Sequence, residues 1–350
     1  MFTNDKTVRV KAGKIFIGGG AEVSVQSMLC VPVHDIAGNI AQAKRLEAAG
    51  CDIVRVTVPD KEALKTVEAL KKEIKIPLVA DIHFDYKLAI ESVYAGVDKV
   101  RINPGNIGSD DRVKLVADTC KKYSVPIRIG VNSGSLEKNI LAKYGKVCPE
   151  AMVESGLYHI SLLEKYDFTD IVLSLKASDT KVMYDSYSLA AEKCPYPLHL
   201  GVTEAGTENM GVIKSSAAIG GLLLRGIGST IRISLTDDPV KEVDAGIKLL
   251  RAIGLRNDGV KIVSCPTCGR TEIDLIGIAK QAEEKLKNVN KNITVAIMGC
   301  VVNGPGEASA ADIGIAGGKN CGVLFKKGEI IKKLPENELL SAMLEEIEKL

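Results

Sequence analysis

The stretch DIVRVTVPDKEALKTVEALKKEIKIPLVADIHF, residues 52–84, decides the architecture. Its first part, Asp52–Val58, is a strand pattern: after Asp52 comes a β-branched apolar run broken only by Arg55 and Thr57. Lys61–Ile74 carries apolar residues at helical spacing with lysines and glutamates between them. Pro77–Phe84 returns to a strand pattern. Strand, helix, strand with short connections is one βαβ unit, which places the two strands parallel in a buried sheet.

The unit repeats outward in both directions. Strand patterns recur at Val23–Leu29, Lys99–Pro104, Pro126–Ser133, Asp170–Ser178, Pro197–Glu204 and Thr230–Thr236. Helical patterns include Asn39–Ala49 and Pro239–Ile253, and Gly50, Gly96 and Gly254 supply left-handed C-caps. Eight repeats predict a (β/α)8 barrel of the TIM type, which takes about 250 residues. The eighth helix ends near Gly254, and Leu255–Gly259 reads as a linker. The expected domains are therefore a (β/α)8 barrel over 1–256 and a smaller α/β unit over 257–350. The latter has strands at Val260–Ser264, Ile293–Met298, Asp312–Ala316 and a hairpin over Val323–Ile331, with helices at Thr271–Lys287 and Leu334–Leu350.

Composition narrows the function classes. The chain has 350 residues, 46 basic and 44 acidic, no Trp and five Phe. Near-neutral charge argues against general nucleic-acid or membrane-surface binding, and the scarcity of aromatics argues against base stacking. Nine cysteines are an odd number, and the N-terminus carries no apolar signal segment. The expectation is a cytoplasmic, reducing compartment. Cys30, Cys51, Cys120, Cys148 and Cys194 stand alone in helix and strand patterns and read as small hydrophobes. No apolar run reaches the length of a membrane span.

Polar residues two apart share one face of a strand. Such pairs recur near the ends of the barrel strands: Arg55 with Thr57, Asp81 with His83, Arg101 with Asn103, Ser174 with Lys176, His199 with Thr203, and Arg232 with Ser234. Arg128 and Asn132 share a face two steps apart. Barrel interiors are normally filled by branched apolar side chains, so charges there require a partner. Arg55, Arg101, Arg128, Lys176 and Arg232 come from five strands and predict an anion site, with guanidinium forks suited to phosphate. The competing reading pairs each cation with rim carboxylates. Asp81 and His83 read equally as an oriented acid–base pair or as structure. Glu204, one residue out of phase with Thr203, is a candidate proton donor if the loop turns it inward. His34 and His159 read as structural or exposed.

The second unit holds Cys265-Pro-Thr-Cys268-Gly-Arg270 and Gly299-Cys300-Val-Val-Asn-Gly-Pro-Gly-Glu307. Three thiolates at Cys265, Cys268 and Cys300 suit three corners of a [4Fe–4S] cube, and Glu307 suits a labile fourth ligand that a substrate oxygen can displace. Glycines 304 and 306 permit close backbone approach. Two readings stay open beside it: a zinc site with Cys321 as fourth sulfur, and unligated thiols. The first corresponds to a zinc-stabilised binding protein or a pterin-type (β/α)8 transferase rather than a reductase.

These motifs resemble the 4-hydroxy-3-methylbut-2-enyl diphosphate synthase family. Matching barrel segments are Val25–Met28, Val54–Pro59, Ala80–Phe84, Arg101–Gly108, Gly130–Leu136 and Gly201–Gly206. The resemblance runs through the whole chain in register and fits the compact bacterial type; Leu29-Cys30 departs from the family's usual threonine. It implies the reductive ring opening and dehydroxylation of 2-C-methyl-D-erythritol 2,4-cyclodiphosphate in the methylerythritol phosphate pathway of isoprenoid biosynthesis. It also implies Cys265, Cys268, Cys300 and Glu307 as cluster ligands, barrel cations on the diphosphate, Glu204 as acid, flavodoxin or ferredoxin as electron donor, and a head-to-tail homodimer.

Overall fold

The computed structural model describes residues 4–287, 289–300, 308–319 and 321–350. The chain forms two compact units, Met1–Arg256 and Asn257–Leu350.

The first unit opens with a hairpin, β1 (Val10–Ala12) and β2 (Ile15–Ile17), turned at Gly13 with φ +57°. A side chain at Gly13 would meet Asp98, its Cβ lying 2.7 Å from Oδ1, so the turn needs glycine for space as well as for φ. Eight parallel strands follow: β3 (Ser24–Met28), β4 (Ile53–Thr57), β5 (Leu78–Asp81), β6 (Lys99–Ile102), β7 (Ile127–Asn132), β8 (Ile171–Lys176), β9 (His199–Leu200) and β10 (Thr230–Ile231). Seven of the neighbouring pairs form ladders, including β10 back to β3. A parallel bridge, Leu173 to Leu198, joins β8 to the start of β9 and closes the barrel.

Helices lie outside, each with an apolar stripe against the strands: Leu46 from Ile36–Ala48, Val67 and Leu70 from Ala63–Glu73, and Leu250 from Pro239–Ala252 are fully buried. Asp35, Asp85, Asp179 and Asp238 cap their helices by accepting backbone N–H bonds, which ends four of the strand-to-helix loops sharply. The hairpin packs Val10, Ala12 and Ile17 against Ile53, Val79 and Val172, the first inward residues of β4, β5 and β8. It plugs the N-terminal end, so the polar interior opens only toward the strands' C-terminal ends. The sequence patterns predict no element there.

Expected and observed strands coincide in number and order. The seventh and eighth are much shorter than expected, two residues each rather than the runs Pro197–Glu204 and Thr230–Thr236. The chain leaves the ladder after Leu200 and Ile231 and continues as loop, with Glu204 in the left-handed region at φ +53°.

The second unit is a five-stranded sheet in the order β11 (Lys261–Ser264), β12 (Thr294–Met298), β13 (Ile313–Gly318), β14 (Cys321–Lys326), β15 (Glu329–Leu334). The first three strands are parallel and the last two antiparallel. Helices Leu275–Leu286 and Glu336–Glu348 cover one face, packing Ile278, Ala282, Leu339 and Met343 on Val295, Ile297, Ile315 and Leu324. The other face is small-residue surface, with Ala296, Ala308, Ala311 and Ala316 around Met298 and Phe325. Among the described residues no helix is long and apolar enough to cross a membrane.

Candidate active site

Alternation along the strands sends Arg55, Asp81, Arg101, Arg128, Ser174 and Lys176 into the barrel, and register sets Arg101 beside Arg128 and Asn132 beside Lys176. At the C-terminal end they open into a cavity of about 350 Å³. His83, Asn132, Thr203, Glu204, Arg232 and Ser234 complete the parts of its wall named from sequence. Asn103 and His199 stand off the wall. Asn103 is buried and its Oδ1 accepts the Gly130 N–H at 2.8 Å; His199 is fully buried. Thr57 faces inward above Arg55 and does not line the cavity.

The charge balance is lopsided. Arg55, Lys99, Arg101, Arg128, Lys176 and Arg232 project inward; the first five are buried and Arg232 is nearly so. Two buried carboxylates oppose them. Asp81 meets Arg101 Nη1 at 3.1 Å and Arg55 Nε at 3.8 Å, with His83 Nε2 at 3.7 Å. Glu242, from the first turn of Pro239–Ala252, faces Arg232 Nη2 at 3.5 Å and accepts from Ser27 Oγ and the Leu235 N–H.

Burial would raise the Asp81 carboxyl, but Arg55, the His83 hydrogen bond, Arg101 and Arg128 outweigh it and hold it well below the usual range. Burial pulls the Arg55 guanidinium down to about 10, with Asp81 opposing the fall. Burial and the surrounding arginines push the Lys176 ammonium well down, and Arg128 is lowered for the same reasons. Nε and Nη1 of Arg128 and Nε of Arg232 have no hydrogen-bond partner among the described residues. A cavity so lined binds polyanions, because a ligand with several phosphate oxygens relieves repulsion and satisfies orphaned donors together.

Two glycines make room for the cations. A Cβ on Gly130 would lie 2.3 Å from Arg101 Nε, and one on Gly201 would lie 3.1 Å from Lys176 Cε. At the seam between β8 and β9, Tyr187 replaces missing ladder bonds: its hydroxyl donates to the His199 carbonyl at 2.6 Å and accepts the Leu175 N–H at 2.9 Å.

Sequence reasoning missed Ser133, Gly134 and Ser135 on the cavity wall, Lys99 beneath Arg101, and Glu242 behind Arg232. Lys99 had a signal, being two residues before Arg101 in the same strand. Glu242 had none, since a glutamate in a first helical turn reads as ordinary dipole complement.

In the second unit, Cys265 follows β11 and Cys300 closely follows β12, whose ends are paired through Ser264 and Ile297. The Gly299 N–H donates to Cys265 Sγ at 3.2 Å. Thr271 ties the Cys265–Cys268 turn, its Oγ1 accepting the Cys268 N–H at 3.1 Å and its N–H donating to the Cys268 carbonyl at 3.0 Å. The Arg270 backbone N–H is the main influence lowering the exposed Cys268 thiol. Glu307 lies outside the described residues, and Cys321 begins β14 opposite Gly318. Among the described residues no three His, Cys, Asp or Glu side chains converge as for a single metal ion. Soft donors at adjacent strand ends, one of them already hydrogen-bonded by a backbone amide, fit a thiolate-held iron–sulfur cluster better than a hard cation.

Comparison with known proteins bears on both units. The GcpE TIM-barrel domain matches residues 7–247, and the GcpE protein C-terminal domain matches residues 261–349. The chain is 57% identical over 343 residues to the 4-hydroxy-3-methylbut-2-en-1-yl diphosphate synthase (flavodoxin) of Clostridium acetobutylicum, covering 98% of each. It is 56% identical over 342 residues to the protein of that name from Clostridium tetani, again covering 98% of each. Among solved structures, the dihydropteroate synthase of Yersinia pestis in a sulfonamide complex aligns with 71% of this chain and all of its own, at TM-score 0.51 and 15% identity. That likeness is one of barrel fold alone.

Proposed function

This chain belongs to the GcpE family, and from that premise we propose that it catalyses the reductive ring opening of 2-C-methyl-D-erythritol 2,4-cyclodiphosphate to 4-hydroxy-3-methylbut-2-enyl diphosphate. It is an oxidoreductase, not the zinc-stabilised binding protein or pterin-type transferase left open by spacing alone. The observation that carries the substrate assignment is the cavity lined by five cations, Arg55, Arg101, Arg128, Lys176 and Arg232, with Asp81 as the buried carboxylate on its wall.

The reaction takes in two electrons and two protons. The ring C–O bond to phosphate and one C–OH bond break, and a water leaves with the hydroxyl oxygen. Arg55, Arg101, Arg128, Lys176 and Arg232 grip the diphosphate, and Asn132, Ser174, Thr203 and Ser234 add neutral hydrogen bonds. Asn103 acts from behind by holding Gly130, and Asp81 and His83 orient the two arginines Arg55 and Arg101. His199 belongs to the buried layer under the cavity. Glu204 lines the cavity in a left-handed backbone conformation that an L-residue adopts only at a cost, which suits a side chain held for proton transfer to the departing hydroxyl.

A [4Fe–4S] cluster held by Cys265, Cys268, Cys300 and Glu307, when bound, supplies the electrons singly from a flavodoxin or ferredoxin. The barrel is thus the substrate domain and Asn257–Leu350 the cluster domain. A cytoplasmic head-to-tail homodimer, pairing one protomer's barrel with its partner's cluster domain, belongs to the same proposal.

Anaerobic holoenzyme with the cyclodiphosphate and a low-potential reductant is expected to yield the linear diphosphate. Absence of product from iron-replete protein sinks the assignment. Glu204→Gln is expected to lower kcat by about 100-fold with little change in KM, as loss of a general acid does.

A further inference from the structure

We propose that the turn Ser133–Ser135 is a ligand-binding element of the barrel cavity, positioned by a His159–Glu137 pair anchored outside it. The inference rests on the diphosphate reading of that cavity.

The turn follows β7 directly as a short 3-10 segment, and all three of its residues line the cavity beside Asn132. It carries no charge. It offers two hydroxyls and backbone N–H groups next to Arg128 and Lys176, which is how a phosphate already held by cations is oriented. Ser135 is exposed and Ser133 half-buried, so packing alone does not fix the turn.

The fixing group is His159, on the helix Pro149–Glu164, with only 1% of its surface exposed. The Gly105 N–H donates to its Nδ1 at 3.1 Å. A backbone amide can only donate there, so Nδ1 is the acceptor and Nε2 carries the proton. Nε2 lies 2.7 Å from Glu137 Oε1, two residues beyond the turn. Burial would raise the Glu137 carboxyl, but hydrogen bonds from His159 and Ser155 and from its own backbone N–H bring it down to about 2. Gly105 belongs to the Pro104–Asn106 turn after β6, and a Cβ there would lie 2.8 Å from His159 Cε1. One imidazole therefore fastens the mouth turns after β6 and after β7 to a single barrel helix. Releasing Glu137 frees the turn that faces the ligand and leaves Glu204 and the cations untouched.

The test is titration calorimetry of the holoenzyme with inorganic diphosphate, alongside steady-state kinetics with the cyclodiphosphate. Glu137→Ala is expected to raise the diphosphate Kd and the substrate KM together by about tenfold, with kcat within about twofold of the parent. Glu137→Gln keeps a carbonyl oxygen for the His159 Nε2–H and is expected to restore both to within about threefold. The double variant Ser133→Ala, Ser135→Ala is expected to raise KM by about tenfold without lowering Tm, and serves as the test if Glu137→Ala does not fold. Unchanged Kd and KM in Glu137→Ala, even with a lower Tm, overturn the positioning role; unchanged KM in the double serine variant overturns the ligand role. Failure of the parent protein itself to bind diphosphate strikes the cavity reading first, so the two failures are distinguishable.

Discussion

Arg101 is seated in the barrel wall by Gly130. Its Nη2 donates to the Gly130 carbonyl at 2.7 Å, and the space a Cβ would fill at Gly130 is already taken, 2.3 Å from Arg101 Nε. The Gly130 N–H is spoken for as well, by Asn103 Oδ1. A glycine in a strand interior weakens the strand, yet this one lets a guanidinium from the neighbouring strand lie flat across it. Gly130→Ala therefore displaces Arg101 from both Asp81 and the cavity. With a charge-assisted bond contributing about 1.5–3 kcal/mol, KM is expected to rise by roughly 10- to 100-fold while the protein still folds. Steady-state kinetics checks this, and an unchanged KM refutes the seating role.

Asp81 is the carboxylate touching both Arg55 and Arg101, and Asp81→Asn leaves two buried guanidinium groups without it. Removing one partner of a buried pair costs about 3–5 kcal/mol. The pH dependence has a definite sign. The folded-state pKa lies below the unfolded value of about 3.9. The stabilisation is thus fully present above about pH 4 and is lost as pH falls further toward the folded-state pKa. Urea unfolding from about pH 8 to about pH 2 is expected to show a constant gap between parent and variant down to about pH 5, closing below about pH 4. A gap that stays constant over the whole range contradicts the coupling.

The eightfold strand–helix alternation made the barrel legible, because a β-branched period of two switching to a helical period is a local property of sequence. The cationic cavity was legible for the same reason: residues two apart in a strand must share a face, so Arg55, Asp81 and Arg101 could be placed without tertiary knowledge. What escaped was set by partners distant in sequence. The Val10–Ile17 hairpin is too short to carry periodicity, and it matters because of what it plugs. His159 reads from sequence only as structural or exposed, because its partners Gly105 and Glu137 reach its two ring nitrogens from other elements. The short seventh and eighth strands were overread because apolar residues continue past the point where the backbone leaves the ladder.

That short seventh strand is compensated by Tyr187. Its hydroxyl bridges the Leu175 N–H and the His199 carbonyl where β8 and β9 share one bridge. Burial pushes the phenol up to about 12, so it stays protonated and keeps its donor. Tyr187→Phe preserves the ring but orphans a buried N–H and a buried carbonyl. The expected loss is about 1–3 kcal/mol in urea unfolding, with hydrogen exchange at Leu175 accelerated before that of β4 and β5. Equal exchange across the barrel contradicts a weak seam.

The metal content of the second unit separates the cluster from zinc. Cys265 accepts a backbone hydrogen bond from Gly299 and sits against the alanine-lined face of the sheet, whereas Cys268 is exposed on its turn. Anaerobically prepared protein is expected to carry about four iron and four sulfide per chain and to be brown. Cys265→Ser and Cys300→Ser are each expected to lose most of that iron, since a hard hydroxyl replaces a thiolate that soft iron–sulfur chemistry prefers. Circular dichroism of the barrel is expected to be unchanged, because the proposed cluster ligands lie in the unit Asn257–Leu350 and the barrel core is complete within Met1–Arg256. Cys321→Ser is the discriminating control. A site closed by four cysteine thiolates, whether zinc or cluster, requires that sulfur and is lost with it, whereas a site completed by Glu307 retains its iron and its colour in this variant. One zinc per chain in the parent protein, with no visible absorbance, would overturn the cluster assignment outright.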